Sequence, residues 1–450
     1  MSELQLDVRL DGFDEPIGVF VRDDNDALAF AYREDYLLRP NAVPLSLSMP
    51  LRNGPFADVP TRAFFNNLLQ ERDGHLRKVM ATYALQRDDV AGLLMRLGKD
   101  CPGAISVLEA GSPPAKIPGE YANDYEPIAI ERMEAIVSAL HNREELPDGT
   151  ADPSPLAGVQ SKIALTKLPN GFLAEPRRGT GAPTTHILKA PDRKRPQDAA
   201  LEFLALKLSA KLGIETAEAE LIRFGGIEAL LIKRFDRAHD QNGRVVRIHQ
   251  EDFAQALGLP AELKYERRGT SDRCFNVDGI RRVLNQTKNP AEERIRFVRQ
   301  TLFDLAIGNM DAHAKNHAIL HSGASNIRVS PRYDLLPTQL DPALTTELPY
   351  KIGTACKIDD ITARDFDLFL KNLGIENAAA QRRMRLMNAE YIARNLADNL
   401  SRIARYDKTF ADLIATNLRT LLPKLDVAVP EAAESRDTFV ARGGGWRLES

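Results

Sequence analysis

The chain begins with apolar residues at every second position. Residues 4 to 10 place leucine and valine on one face, and two further runs of the same kind follow before residue 33. Because successive side chains of a strand point to opposite faces, this spacing predicts a small antiparallel meander. A helix predicted at 60–80 and a strand predicted at 104–108 complete an α+β unit.

A different order of elements follows between residues 151 and 237. An amphipathic helix is predicted from Asp198, a residue type that starts helices, to Gly213, one that stops them. Apolar segments bounded by turn residues predict strands at 162–168, 172–175, 184–190, 218–224 and 227–233. Three strands, a helix and two strands is the order of elements in the amino-terminal lobe of protein kinases.

Apolar residues recur at helical spacing through most of the chain after Arg237, and amphipathic helices are predicted at 363–373, 378–405 and 408–423. One helix is predicted to begin at Asn289-Pro290, a cap followed by proline, and to stop at Gly308. We therefore predict an α+β protein with a two-lobed, protein-kinase-like fold, in which a mixed β/α N-lobe precedes a largely α-helical C-lobe. The predicted segments are an extra small N-terminal α+β subdomain (1–110), a linker with a short helix (111–150), the N-lobe with a phosphate loop (151–237), the C-lobe with a catalytic loop (238–425) and a flexible tail (426–450).

Composition narrows the class of protein. A chain of 450 residues with 43% hydrophobic and 27% charged residues fits a soluble globular protein with more than one packed unit. The formal net charge of -3 gives no overall basic field for nucleic acid. Cys101, Cys274 and Cys356 are far apart, which favours a reducing compartment, and no segment is apolar enough to span a membrane. We expect a cytoplasmic protein without membrane contact.

The loop after the long helix carries the strongest chemical signal. Asp311 and Asn316 stand five residues apart, as in kinase catalytic loops, where the aspartate orients the attacking hydroxyl and the asparagine holds magnesium. A hairpin predicted between 317 and 330 would return the chain to this loop and place Asp334 as a second magnesium ligand. The alternative is that Asp311, His313 and Asn316 only cap a turn.

The N-lobe offers groups for a nucleotide. Lys189 emerges from an apolar strand, where an ammonium needs an anion such as Glu202 or the phosphates of ATP, unless it is an edge lysine that points to water. Residues 232–235 end the fifth strand, where a hinge would receive adenine or where apolar residues simply form core. Backbone N–H groups before the first N-lobe strand would cover the phosphates, or form a plain turn, at Ala157, Gly158, Val159, Gln160, Ser161 and Lys162.

At these residues the chain resembles the HipA family of toxin serine/threonine kinases, from HipBA-type bacterial toxin-antitoxin modules. The resemblance covers roughly residues 1–425 and depends on several motifs in one order. They are Phe64-Phe65-x-x-Leu-Leu, Ala157-Gly158-Val159-Gln160-x-Lys162, Pro183-Thr184-Thr185-His186-Ile187-Leu188-Lys189, Arg234-Phe235-Asp236-Arg237, Gln250-Glu251-Asp252-Phe253, Lys264-Tyr265-Glu266, Asp311-Ala312-His313-Ala314-Lys315-Asn316 and Tyr333-Asp334.

The resemblance implies that ATP and Mg²⁺ are used to phosphorylate a protein hydroxyl. The substrate would be an aminoacyl-tRNA synthetase such as the glutamyl enzyme, so that translation halts. A small HipB-like helix-turn-helix antitoxin would bind operator DNA and carry the kinase as corepressor. By motif, Asp311 would be the catalytic base, Asn316 and Asp334 the metal ligands, Lys189 the phosphate-binding lysine, Lys233, Arg234 and Phe235 the adenine hinge, and His313 and Lys315 supports of the loop geometry.

One position departs from the family pattern. The best-known relatives carry an autophosphorylated serine two residues before the Ala-Gly of the phosphate loop, where this chain has Pro155. Ser154, one residue earlier, or Ser161, inside the loop, could replace that serine, although the stiffness of the Ser154-Pro155 pair disfavours a shifted phosphosite. Gln250-Glu251-Asp252 has no role that the sequence assigns.

Two other functions stay open at the level of sequence. The chain could be a kinase-fold phosphotransferase whose acceptor is a small molecule or a lipid head group. It could also be an inactive relative that serves only as a corepressor scaffold. The presence of Asp311, Asn316, Asp334 and Lys189 favours the enzyme over the scaffold.

Overall fold

The computed structural model describes residues 3–69, 74–150, 161–323 and 326–440. The chain folds into two compact units. No helix within these ranges is long and apolar enough to cross a membrane. The first unit comprises Met1–Ala200, Ala217–Ala261 and Ala318–Arg328, and the second comprises Leu201–Thr216, Glu262–His317 and Val329–Ser450.

The first unit begins with the predicted meander, which the structure confirms. Its antiparallel strands pair in the order β3-β2-β1-β4 and are β1 (Leu4–Leu10), β2 (Gly18–Arg22), β3 (Leu28–Tyr32) and β4 (Ile105–Glu109). The helices between β3 and β4 are α1 (Glu34–Leu37), α2 (Asp58–Asn66), α3 (Gly74–Tyr83) and α4 (Val90–Leu97). The prediction of a single helix at 60–80 is therefore wrong, because α2 ends at Asn66 and α3 begins only at Gly74. Phe65 of α2 stacks on Phe20 of β2 with ring centroids 4.1 Å apart, so α2 packs on this sheet.

A second antiparallel sheet follows, with the strand order β5-β7-β6-β8-β10-β9. Its strands are β5 (Tyr125–Pro127), β6 (Lys162–Lys167), β7 (Leu173–Pro176), β8 (His186–Lys189), β9 (Ala219–Phe224) and β10 (Ile227–Lys233). Helix α5 (Ile130–Asn142) accompanies this sheet, and helix α6 (Asp198–Lys211), which follows β8 in the chain, belongs mainly to the second unit. The five strands and the helix predicted between 162 and 233 are confirmed. The short helix predicted between 111 and 150 is confirmed as α5, whereas β5 forms in residues predicted as linker. Ile136 and Val137 of α5 pack against Ile163 and Leu188, which covers one face of the sheet.

Short strands continue from Arg237, in a part of the chain where mostly helices and one hairpin were predicted. They are β11 (Arg237–His239), β12 (Val245–Arg247) and β13 (His249–Asp252), followed by helix α7 (Phe253–Ala256) and, later in the chain, by β14 (Ala318–His321) and β15 (Ile327–Val329). The helical prediction was wrong here because strands of three or four residues contain too few positions for a clear alternation. The hairpin predicted after Asn316 is confirmed as β14 and β15, which join β13 in one sheet.

The second unit is mainly helical. Its elements are α8 (Val277–Leu284), α9 (Pro290–Ile307), β16 (Glu347–Ile352), β17 (Ala355–Lys357), α10 (Ala363–Asn372), α11 (Ala378–Ala397), α12 (Leu400–Tyr406), α13 (Lys408–Leu421) and α14 (Glu431–Glu434). The helix predicted at 378–405 is interrupted between α11 and α12. In the segment predicted as a loose tail, Arg436 forms an ion pair with Asp412 of α13, with 2.9 Å between Nη2 and Oδ1.

Gly308 ends α9 and sets the direction of the loop that follows. Its φ of 74° is left-handed, and its backbone N–H caps the helix. A Cβ at this position would lie 2.9 Å from Gln339 Cβ and 2.9 Å from Leu413 Cδ2. Only glycine satisfies both the conformation and the close approach.

Candidate active site

The loop between α9 and β14 closes around the backbone carbonyl of Asp311. That oxygen accepts hydrogen bonds from the backbone N–H of His313 at 2.8 Å and from Nδ2 of Asn316 at 2.7 Å. A single 3₁₀ turn, Ala314–Asn316, completes the loop. The structure thus brings Asp311 and Asn316 together in one turn.

These two side chains differ in exposure. Asp311 has 44% of its side chain exposed, whereas Asn316 is buried. Because an amide N–H of Asn316 donates to the Asp311 carbonyl, the amide oxygen is the atom of this side chain that can contact a cation. An exposed carboxylate beside a fixed amide oxygen can accept a hydrogen bond from a substrate hydroxyl and help to hold a metal ion.

Tyr265, to which the sequence assigned no role, contacts the same carboxylate. Its hydroxyl donates a hydrogen bond to Asp311 Oδ1. The carbonyl of the preceding Lys264 accepts a hydrogen bond from the backbone N–H of Ala314 at 3.0 Å. Burial raises the pKa of Tyr265, and the Asp311 carboxylate raises it further. The motif Lys264-Tyr265-Glu266 was the available signal, but no spacing rule links residues 46 positions apart.

His313 is buried within this loop as a neutral side chain. Burial lowers the pKa of His313 well below its usual value, and the nearby cations of Lys264 and Lys315 lower it further, while Asp334 acts in the opposite direction. His313 Nε2 lies 3.9 Å from Asp311 Oδ1, which is beyond hydrogen-bonding distance. His313 therefore lies beside Asp311 without a hydrogen bond to its carboxylate.

A buried ion pair fixes the loop to α9. Arg332 Nη2 lies 2.9 and 2.8 Å from the two carboxylate oxygens of Asp304, and its Nη1 lies 2.9 Å from His317 Nδ1. His317 Nε2 in turn lies 3.2 Å from the carbonyl oxygen of Ala312. Since Nδ1 faces a cationic donor, the ring proton sits on Nε2 and is donated to that carbonyl. Burial and the Arg332 cation both lower the pKa of His317.

Asp334 has an unusual backbone conformation. Its φ is 56°, which residues with a Cβ seldom adopt. The preceding residues are held in place, because Arg332 N–H donates to the Glu215 carbonyl at 2.8 Å and the Tyr333 hydroxyl donates to the Lys315 carbonyl at 2.8 Å. The backbone of Asp334 is therefore in an unfavourable conformation, and its carboxylate raises the pKa of His313. Both properties mark Asp334 as a candidate functional residue.

Asn316 and Asp334 have the chemistry of magnesium ligands. Mg²⁺ prefers oxygen atoms and usually takes one or two carboxylates from the protein, with phosphates and water for the rest. In the described ranges, no group of three or more His, Cys, Asp or Glu side chains could hold a metal ion by itself. One carboxylate and one amide oxygen therefore fit a metal that arrives with phosphate.

Two lysines stand opposite each other in the first unit. Lys189 of β8 pairs in register with Lys162 of β6, so the two side chains leave the same face of the sheet. Leu188 and Ile163, their neighbours along the strands, point to the other face, where α5 packs. Ammonium groups on one face of a sheet can donate hydrogen bonds to phosphate oxygens, so this face suits a polyanion such as a chain of phosphates.

The predicted hinge is divided between exposed and buried side chains. Lys233 is exposed, and its Nζ lies 2.9 Å from Glu218 Oε1. Arg234 is buried and donates to both carboxylate oxygens of Asp236, at 3.0 and 2.9 Å. The Arg234 side chain is thus buried and paired with Asp236, whereas the Phe235 side chain is half-buried.

Part of the predicted phosphate loop lies outside the described residues. Ser161 is described, and its carbonyl accepts a hydrogen bond from the Ala190 N–H at 3.1 Å, which extends the pairing of β6 and β8. Lys162 begins β6. The residues outside are Ser154, Pro155, Ala157, Gly158, Val159 and Gln160.

The combination of β-sheets, a helical unit and an Asp-x-x-x-x-Asn loop defines a kinase-like fold. A chain from the structure of the HipA, HipB and operator DNA complex of Shewanella oneidensis MR-1 has the same fold, with a TM-score of 0.73. That match covers 94% of this chain and 100% of the other, at 24% sequence identity. The predicted fold class is therefore confirmed.

Sequence comparisons identify the family. The model of the HipA N-terminal domain matches residues 6–108, and the model of the HipA-like C-terminal domain matches residues 154–400. Y4mE of Sinorhizobium fredii, named as a candidate kinase, is 35% identical over 390 residues, 85% of this chain and 90% of that protein. The serine/threonine-protein kinase toxin HipA of Shewanella oneidensis is 27% identical over 432 residues, 92% of this chain and 94% of that protein. The chain belongs to the HipA family of serine/threonine-protein kinase toxins, as its motifs predicted.

Proposed function

We propose that this chain uses ATP and Mg²⁺ to phosphorylate serine or threonine in a component of translation, and thereby arrests growth. The observation that carries this proposal is the loop in which exposed Asp311 and buried Asn316 share one turn. Such a loop supplies a carboxylate for the acceptor hydroxyl and an oxygen ligand for the metal, which are the two groups that phosphoryl transfer asks of a catalytic loop.

Each proposed role follows from the surroundings of the residue. Asp311 receives the hydrogen bond of the acceptor hydroxyl, because its carboxylate is exposed. Asn316 and Asp334 offer oxygen atoms to Mg²⁺, which when bound would neutralise charge on the phosphates. Lys189 and Lys162 leave one face of their sheet together and hold phosphate oxygens.

The adenine would contact the segment after β10. Arg234 N–H donates to the Thr185 carbonyl at 3.0 Å, and the Arg234 side chain is paired with Asp236. Recognition by this segment would therefore use the Lys233 and Phe235 positions. The phosphate loop formed by Ala157, Gly158, Val159, Gln160, Ser161 and Lys162 would cover the phosphates through backbone N–H groups.

The proposed substrate is an aminoacyl-tRNA synthetase, with the glutamyl enzyme as the first candidate. The proposed partner is a HipB-like helix-turn-helix antitoxin, which would contact operator DNA with this chain as corepressor. Support comes from the solved Shewanella oneidensis relative, whose structure holds HipA, HipB and operator DNA.

Phosphoproteomics after brief induction would test the proposal, comparing the intact protein with Asp311→Ala. We expect growth arrest and new phosphoserine or phosphothreonine only with the intact protein. Folding and antitoxin binding should persist in the variant, since an exposed loop carboxylate contributes little to the core. A variant that still arrests growth and still phosphorylates its target would contradict the assignment of Asp311.

A second assay separates protein acceptors from small ones. Purified protein with MgATP is offered a panel of synthetases and a panel of small hydroxyl compounds, and ATP turnover is measured. We expect turnover to rise only with a synthetase. Stimulation by a small hydroxyl compound alone would identify a small-molecule phosphotransferase.

Autophosphorylation has its own test because Pro155 occupies the family's serine position. Incubation with MgATP, followed by intact-mass measurement and peptide mapping, should place a phosphate on Ser154 or Ser161. The Ser154→Ala and Ser161→Ala variants would show which serine accepts it. Phosphate on neither serine would mean that this chain lacks regulation through the phosphate loop.

A further inference from the structure

We propose that Tyr265 is a positioning residue for Asp311: its hydroxyl fixes the carboxylate in the orientation that receives an acceptor hydroxyl. This inference rests on the proposed role of Asp311. The observation behind it is the hydrogen bond from the Tyr265 hydroxyl to Asp311 Oδ1. Phosphoryl transfer depends mainly on positioning, so a group that fixes this carboxylate affects the rate directly.

Neighbouring side chains hold the Tyr265 ring in place. The His313 ring packs against it edge-on, with centroids 5.0 Å apart and planes at 84°. The guanidinium carbon of Arg267 lies 4.0 Å from the ring centroid, and that of Arg268 lies 5.4 Å away. Edge-on packing and cation–π contacts both restrict the ring. The hydroxyl is therefore presented to Asp311 from a fixed position.

The residues on either side of Tyr265 form hydrogen bonds with the catalytic loop and with the β16–β17 hairpin. The Lys264 carbonyl accepts from the Ala314 N–H at 3.0 Å, inside the loop. The Glu266 Oε2 atom accepts from the Lys351 N–H at 2.7 Å, and Arg267 Nη1 donates to the Leu348 carbonyl at 3.3 Å. Hydrogen bonds of the residues before and after Tyr265 therefore fix its position relative to Asp311.

Protonation favours Tyr265 over His313 as the donor. Because burial and the Asp311 carboxylate raise the pKa of Tyr265, the phenol keeps its proton at physiological pH. His313 is neutral, and its Nε2 lies 3.9 Å from Asp311 Oδ1. Tyr265 is thus a permanent donor to the carboxylate and does not compete with it as a base.

Tyr265→Phe tests the inference because it removes the hydroxyl and keeps the ring. ADP formation from MgATP is measured with the full chain and the synthetase that raises its ATP turnover, giving kcat and the KM for ATP over a range of pH. We expect kcat to fall about tenfold to a hundredfold, the loss that accompanies one hydrogen bond to a charged group. The KM for ATP should change less than about twofold, because Tyr265 acts on the acceptor side.

The pH profile separates positioning from a purely structural effect. A carboxylate that loses a hydrogen-bond donor holds its proton more tightly, so the acid limb of kcat should move to higher pH in Tyr265→Phe. A fluorinated tyrosine at position 265, a stronger donor of almost the same size, should move that limb to lower pH. The fluorinated variant also serves if the phenylalanine variant does not fold.

Tyr391→Phe is the matched control. Its hydroxyl donates to the Leu212 carbonyl at 3.0 Å, so the control also loses one tyrosine hydrogen bond. We expect wild-type kcat and an unmoved pH profile from it. An unchanged kcat in Tyr265→Phe, or a lower kcat with an unmoved acid limb, would overturn the inference. Wild-type ADP formation in Asp311→Ala would instead overturn the proposed function, which keeps the two failures apart.

Discussion

Arg332 donates from Nη2 to both carboxylate oxygens of Asp304, and both side chains are buried. Arg332 lies 28 residues after Asp304, so the pair connects α9 with the segment that leads to Asp334. Through His317, Arg332 also reaches the Ala312 carbonyl in the catalytic loop. The loop geometry therefore depends on a contact that lies outside the loop.

Replacing Asp304 should weaken both stability and activity. Asp304→Asn leaves the Arg332 guanidinium buried without its counter-charge. Removal of one partner of a buried ion pair typically costs about 3–5 kcal/mol of unfolding free energy. The cost for Asp304→Asn should be somewhat lower, because the amide oxygen still accepts a hydrogen bond. Urea denaturation would measure this loss of unfolding free energy, and ADP formation would show a lower kcat.

Arg281→Ala is the control for this measurement. Its pair with Asp278 is largely exposed, at 40% and 59% of the two side chains, and surface pairs contribute less than about 1 kcal/mol. Equal loss of stability in the two variants would contradict a special role for the buried pair.

Asn316 should set the response of the enzyme to magnesium. Asn316→Ala removes the amide oxygen and the hydrogen bond to the Asp311 carbonyl, so we expect half-maximal ADP formation to need about tenfold more Mg²⁺ or higher. Asn316→Asp loses the hydrogen bond but keeps an oxygen ligand, so its Mg²⁺ requirement should lie closer to that of the intact protein.

Asn395→Ala controls for the loss of an asparagine hydrogen bond in general. Asn395 Nδ2 donates to the Tyr391 carbonyl at 2.7 Å in α11, and the variant should show an unchanged Mg²⁺ titration. The same Mg²⁺ titration curve for Asn316→Ala and the intact protein would remove Asn316 from the metal site.

Local spacing explains what the sequence could predict about the site. Asp311 and Asn316 are five residues apart, and a turn of that length joins them whatever surrounds it. Gly308 marks the end of α9 because glycine adopts the left-handed conformation that ends helices. Such features depend on neighbours in sequence, so they can be recognised before any packing is known.

Contacts between distant residues could not be predicted in the same way. Arg332 and Asp304 are both charged, and nothing in the chain indicates that they are buried together. Glu251, without an assigned role in the sequence, accepts from the Leu47 N–H at 3.0 Å and lies 2.9 Å from His321 Nε2. Periodicity shows which face of an element is apolar, but it does not show which polar groups meet inside the core.

Gly308→Ala should destabilise the protein through two separate effects. The left-handed φ of 74° costs a residue with a Cβ about 1–2 kcal/mol. The close approach to Gln339 and Leu413 adds about 1–3 kcal/mol for overpacking. Gly226→Ala separates these effects, because its φ is 85° and its Cβ would meet no atom of the described residues within 4 Å. If Gly308→Ala lost no more unfolding free energy than Gly226→Ala, the side chains around Gly308 would be able to move and accommodate the added Cβ.

His249 should make the first unit sensitive to acid. Burial, together with the neighbouring His321 and Arg247, lowers the pKa of His249 from 6.5 to about 3, and its Nε2 lies 2.9 Å from the Leu45 carbonyl. The unfolded chain therefore binds a proton at a higher pH than the folded one does. The stability associated with neutral His249 is complete above pH 6.5 and is lost as pH falls towards 3, by about 2 kcal/mol between pH 6.5 and 5.

Urea denaturation at several pH values would measure this loss. His249→Gln cannot bind the proton, so its unfolding free energy should depend less steeply on pH between 6.5 and 5 than that of the intact protein. His239→Gln, at an exposed histidine whose Nε2 lies 3.0 Å from the Tyr121 hydroxyl, should keep the steep dependence. His249→Gln abolishes the difference in proton binding at this position between the folded and the unfolded chain. If its unfolding free energy still depended on pH as steeply as that of the intact protein, proton uptake at His249 would not cause the acid sensitivity.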